Sequence, residues 1–82
     1  MKLPRGISAD QLLHLLERLG YRIARQKGSH IRLQHPGPPQ HSITVPLHNP
    51  LKTGTLHGIL AEVALMRNLT VEELAERLKA GR

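Results

Sequence analysis

Leu12, Leu15, Leu16 and Leu19 recur at the i, i+3, i+4, i+7 spacing that lines one face of a helix. The polar residues in front of them mark where that helix starts. Ser8-Ala9-Asp10-Gln11 is a capping box: the Ser8 hydroxyl can accept from the third helical N–H while Gln11 reaches back, and Ile7 and Leu12 stand where a hydrophobic staple stands. Gly20 is well placed as the left-handed residue that closes the helix, which the spacing predicts over roughly 9 to 19.

From Tyr21 the period changes to two. Tyr21 and Ile23 alternate with Arg22, and Ile31 and Leu33 alternate with His30, Arg32 and Gln34, which predicts two half-buried strands joined by a tight connection at Lys27-Gly28-Ser29. A third alternating run, Ser42 to Val45, follows a proline-rich loop from Pro36 to Pro39 and completes a meander. With the aliphatic residues turned to the helices, His30, Arg32 and Thr44 fall on the solvated face. Pro46-Leu47-His48-Asn49-Pro50 reads as an extended connector, and Leu56, Ile59, Leu60 and Val63 restore helical spacing. Thr70-Val71-Glu72-Glu73 is a second capping box, stapled by Leu69 and Leu74, opening a short helix that runs towards Gly81. The order αβββαα describes one α+β sandwich over residues 1–82, with helices gathered on one face of an antiparallel sheet.

Charge narrows the function. Twelve Lys and Arg against six Asp and Glu give a net charge of +6 and a pI near 10.9, which favours polyanions such as nucleic acid. Tyr21 is the sole aromatic, so base stacking on aromatic platforms is excluded as the main mode of binding, and phosphate and sugar contacts must dominate. No apolar run reaches the roughly 18 to 20 residues of a spanning helix and no signal-peptide core opens the chain, so the expectation is a cytoplasmic protein without a membrane partner. With no cysteine, disulfides and thiolate metal sites are excluded.

Three groups of residues carry candidate chemistry. Arg25, Lys27 and Arg32 flank His30 around the first hairpin; a charge cluster is commonly a solvated face, but around a phosphodiester these side chains bind the backbone and neutralise developing charge. Lys52-Thr53-Gly54-Thr55 can gather free N–H groups, two hydroxyls and an ammonium on one phosphate, although plain N-capping by Thr53 or Thr55 uses the same geometry, and the spacing is not that of a nucleotide P-loop. His30, His35, His41, His48 and His57 follow no standard zinc-ligand spacing, so no metal is expected; His14 is most simply a solvent-facing residue of the first helix.

Gly28-Ser29-His30 at a hairpin, then Val45-Pro46-Leu47-His48, then Lys52-Thr53-Gly54-Thr55-Leu56 ahead of an aliphatic helix, together resemble the HicA family of toxins over about residues 3 to 66. The resemblance implies a double-stranded RNA-binding-domain-like αβββα sandwich, here with a short extra C-terminal helix. It also implies an endoribonuclease that cuts mRNA without a cofactor, with His30 as the catalytic residue, and a HicB-like antitoxin that covers the active face. On that reading Arg25, Lys27, Ser29, Arg32, Lys52, Thr53 and Thr55 hold the RNA. An imidazole titrates near neutrality, so His30 can take the proton of a ribose 2′-OH as that oxygen attacks its own 3′ phosphodiester, and His48 is a conceivable proton donor to the leaving oxygen. The alternative is a non-catalytic RNA-binding module of the same fold, which would require no histidine at the first hairpin.

Overall fold

The computed structural model describes residues 3–80. Its elements are α1 (Ala9–Arg18), β1 (Arg22–Lys27), β2 (His30–His35), β3 (His41–Pro46), α2 (Thr53–Arg67) and α3 (Val71–Ala80), an α+β arrangement of αβββα type consistent with the double-stranded RNA-binding-domain fold and extended by α3. No helix among the described residues is long and apolar enough to cross a membrane. Gly81, towards which the sequence carried the last helix, lies outside the described residues.

The helix ends follow local chemistry. Ser8 Oγ accepts from Gln11 N–H at 3.1 Å and Gln11 Oε1 accepts from Ser8 N–H at 2.8 Å, which is the capping box read from the sequence. At the other end Gly20 takes φ +101°, and the N–H groups of Gly20 and Tyr21 donate to the carbonyls of Glu17 and Leu16 at 3.1 and 3.0 Å, a Schellman closure. A Cβ at Gly20 would stand 2.8 Å from His35 Nε2, so both conformation and space demand glycine there. Thr70 and Glu73 exchange the same pair of bonds at the start of α3, at 3.0 and 3.2 Å.

The strands run β1-β2-β3, antiparallel throughout. β1 and β2 meet through a two-residue turn at Gly28-Ser29, with Gly28 at φ +57°; Lys27, expected in the connection, ends β1 instead and pairs with His30. The reading of β1 as half-buried is corrected in a second respect. All its residues are exposed, Ile23 at 50%, because β1 is an edge strand that the helices do not cover, while Tyr21, fully buried, lies just before it. A bulge at Ala24 also interrupts the alternation, since Ile23 pairs with Leu33 but Arg25 with Arg32.

The core joins Leu12, Leu15 and Leu16 of α1, Ile31, Leu33, Ile43 and Val45 of the sheet, Leu56, Leu60 and Val63 of α2, and Leu74 and Leu78 of α3. Between β3 and α2 the connector is tied at both ends. Leu47 N–H donates to the Ser29 carbonyl at 2.7 Å, and Leu51 N–H donates to the Ile7 carbonyl at 2.8 Å; Asn49 Oδ1 accepts from Ala9 N–H at 2.9 Å. The first hairpin, the connector and the start of α1 are thereby held in one arrangement.

Candidate functional site

Cross-strand partners share a face of a sheet, so the pairing register states which side chains stand together. Lys27, His30 and Pro46 form one row, Arg25, Arg32 and Thr44 the next, and Arg22, Gln34 and Ser42 a third. The bulge at Ala24 is what makes the first two rows basic: unbroken alternation from Ile23 would have put Arg25 and Lys27 on the opposite face from His30. His30, Arg32, Arg25 and Lys27 are all exposed.

Among the described residues no ion pair engages the cations of this face. No Asp or Glu occurs between Glu17 and Glu62, so the whole sheet is free of carboxylates. Arg25 directly opposes Arg32, a like-charge arrangement that is destabilising by itself and that an anion lying across both would relieve. Ser29, in the turn, uses its carbonyl to hold Leu47, and His48, exposed, follows directly; this ties the connector beside the row of His30.

The start of α2 differs from that of α1. Lys52 is its N-cap residue with no side-chain cap, Thr53 is the first helical residue, and the first turn has no acid. Capping by Thr53 or Thr55, the plain reading of this motif, is therefore not made, and the leading N–H groups of α2 lack the side-chain acceptor that Ser8 gives to α1. Lys52 and Thr53 are exposed, and Thr55 is half-buried. Arg32 and Thr55 come together in a cleft of about 420 Å³ along the outer edge of β3, which Ser42, Thr44, Gly54, Gly58 and Glu62 also line. The sheet and helix parts of the sequence-derived set thus adjoin at this cleft, while Lys52 and Thr53 lie just before it on α2.

Two of the histidines are occupied elsewhere. His41, buried, accepts at Nδ1 from the Tyr21 O–H at 2.6 Å and faces Glu62 Oε2 through Nε2 at 2.6 Å; the tautomer protonated at Nε2 satisfies both bonds. His35 Nε2 is 3.0 Å from the Leu19 carbonyl, and its Nδ1 accepts from Gly37 N–H at 2.9 Å and Arg67 at 2.7 Å. The Arg67 guanidinium also lies 5.8 Å from the centre of the Tyr21 ring. Burial pushes the Tyr21 phenol above its ordinary pKa, the Arg67 charge opposing this and the Glu62 carboxylate adding to it. Sequence reading missed this cluster, because Tyr21, His41 and Glu62 share no local motif. Among the described residues no group of three or more His, Cys, Asp or Glu is placed to hold a metal ion.

The family model described as HicA toxin of bacterial toxin-antitoxin matches residues 9–65. That span covers α1, the whole sheet, His30, the Lys52–Thr55 motif and Glu62, and leaves α3 outside. No curated protein and no solved structure matches the chain.

Proposed function

Since the chain belongs to the HicA family of toxins from bacterial toxin-antitoxin systems, which implies a cognate antitoxin, we propose that it is an endoribonuclease cutting mRNA at His30 without a metal, held silent by a HicB-like antitoxin. The observation that carries the reading is the carboxylate-free sheet face on which His30 stands exposed between Lys27 and the Arg25–Arg32 pair. RNA lies across this face with its phosphates against Arg25, Lys27 and Arg32. Ser29 and, on α2, Lys52, Thr53 and Thr55 extend the track. His30 takes the 2′-OH proton, O2′ attacks the adjacent phosphorus and the P–O5′ bond breaks, leaving a 2′,3′-cyclic phosphate and a 5′-hydroxyl. His48 or solvent returns the proton to O5′. Arg32 and Arg25 neutralise the charge that grows on the phosphorane. The sheet supplies no carboxylate to hold Mg²⁺ beside His30, which supports a nucleophile drawn from the RNA itself.

Cleavage of labelled RNA by purified protein tests this. His30→Ala should cut slower by about 10² to 10⁴, the usual worth of an acid–base group, while binding RNA as well as before. Cutting should survive EDTA and fail on a substrate with 2′-deoxyribose at the scissile position. Binding without any cutting by the wild type would establish the non-catalytic module instead. Abolition by EDTA with rescue by Mg²⁺ or Mn²⁺ would overturn the mechanism.

A further inference from the structure

Glu62 is the sole carboxylate between Glu17 and Glu72, and it stands in the cleft that Arg32 opens onto. Its side chain is half exposed, at 51%, and is held from behind: His41, buried, meets Oε2 at 2.6 Å and is itself fixed by Tyr21. One oxygen is thus anchored and retains a lone pair, and Oε1 has no hydrogen-bond partner among the described residues. No ion pair joins Glu62 to Arg32 among the described residues, although both line the cleft. β3 lines it with Ser42, Ile43 and Thr44, and α2 with Thr55 and Ile59. Gly54 and Gly58, one helical turn apart, leave open space where side chains would stand. A helix interior loses stability at a glycine, so Gly58 on the cleft side of α2 favours room over helix strength.

We infer that this cleft is a base-reading subsite that takes a guanine next to the scissile phosphate, with Glu62 as the reading group; the inference rests on the ribonuclease reading above. Arg32 supplies the link, because it stands two residues from His30 on the same face of β2 and also lines the cleft, so RNA held at His30 delivers its neighbouring base there. The choice of base follows from donor chemistry. An ionised carboxylate only accepts, and guanine alone among the four bases presents two adjacent donors, N1–H and the N2 amino group, on its Watson–Crick edge. Adenine and cytosine place an acceptor beside their amino group, and uracil flanks its N–H with two carbonyls, so each leaves one carboxylate oxygen facing a lone pair. A site built for two hydrogen bonds rejects a ligand that cannot make them.

The test uses the His30→Ala protein and an oligoadenylate carrying a single guanine, with binding read by fluorescence anisotropy. The guanine oligomer should bind about tenfold tighter than plain oligoadenylate, as one bidentate base contact implies, and replacing guanine by inosine, which lacks the N2 amino group, should lose much of that gain. Glu62→Gln keeps an acceptor for His41 but turns a donor to the base. It should abolish the guanine preference and leave oligoadenylate binding within about twofold. Equal binding of all oligomers, or a preference unchanged by Glu62→Gln in a protein of unaltered melting temperature, overturns the inference. Mapping cut sites with wild type separates the two readings: cleavage indifferent to guanine sinks the subsite and leaves the nuclease, whereas guanine-dependent binding with no cleavage sinks the nuclease and leaves the subsite.

Discussion

Tyr21 is the residue on which the interior turns: fully buried, it contacts His41 by hydrogen bond, His35 edge-on with ring centres 5.0 Å apart, and Arg67 through its ring face. Because its pKa is raised in the folded state, the native chain holds the phenol proton more tightly than the unfolded chain does. That contribution is fully present below the ordinary tyrosine value of 10.0 and is lost as pH climbs through the folded pKa. Tyr21→Phe should therefore flatten part of the alkaline fall in stability. At neutral pH it should cost about 1 to 3 kcal/mol, because His41 Nδ1 is left buried without its donor. Urea melts of both proteins from neutral to strongly alkaline pH check this. At this scale, legibility followed sequence distance. Ser8 with Gln11 and Thr70 with Glu73 could be read because their bonds span three residues, whereas Tyr21 with His41 and His41 with Glu62 span 20 and 21 and exist only once the strands have paired. For the same reason the histidine at 30 was found by its turn and the carboxylate at 62 was not found at all.

Among the elements, β2, β3 and the three helices match their hydrophobic periods, and β1 does not. Period two puts Ile23 inward, yet an edge strand beyond the helices has no core to meet, and nothing about an alanine at 24 announces a bulge. The bulge nevertheless decides the site, since it turns Arg25 and Lys27 to His30. α2 shows the opposite balance, where stability yields to space. Gly58 is helical, takes no left-handed φ, and a Cβ there would meet nothing within 4 Å. Gly58→Ala should raise stability by about 0.5 to 1 kcal/mol, as measured by denaturant midpoint, while placing a methyl group in the cleft. An unchanged or lowered midpoint would mean that the glycine serves the fold itself.

For the molecule as a whole, the net charge of +6 is distributed unevenly, with four cations and no acid in the sheet. Binding to RNA by several phosphate contacts releases counterions, so affinity should fall linearly on a log–log plot against salt. Lys52→Ala should reduce the slope by about one and His30→Ala should leave it unchanged; fluorescence titrations across a salt series decide, and a slope indifferent to Lys52 would remove the start of α2 from the RNA track. The bulged, cationic β1 has one more consequence. An end strand offers a row of unsatisfied main-chain groups on which another copy of the chain can build, and a meander of three strands leaves such a row on each side. A second β1 approaching this edge would bring Arg22, Arg25 and Lys27 against an identical set, and the bulge at Ala24 bends away the straight edge that a continuous ladder needs. The cations of β1 thus also oppose the joining of neighbouring copies sheet to sheet.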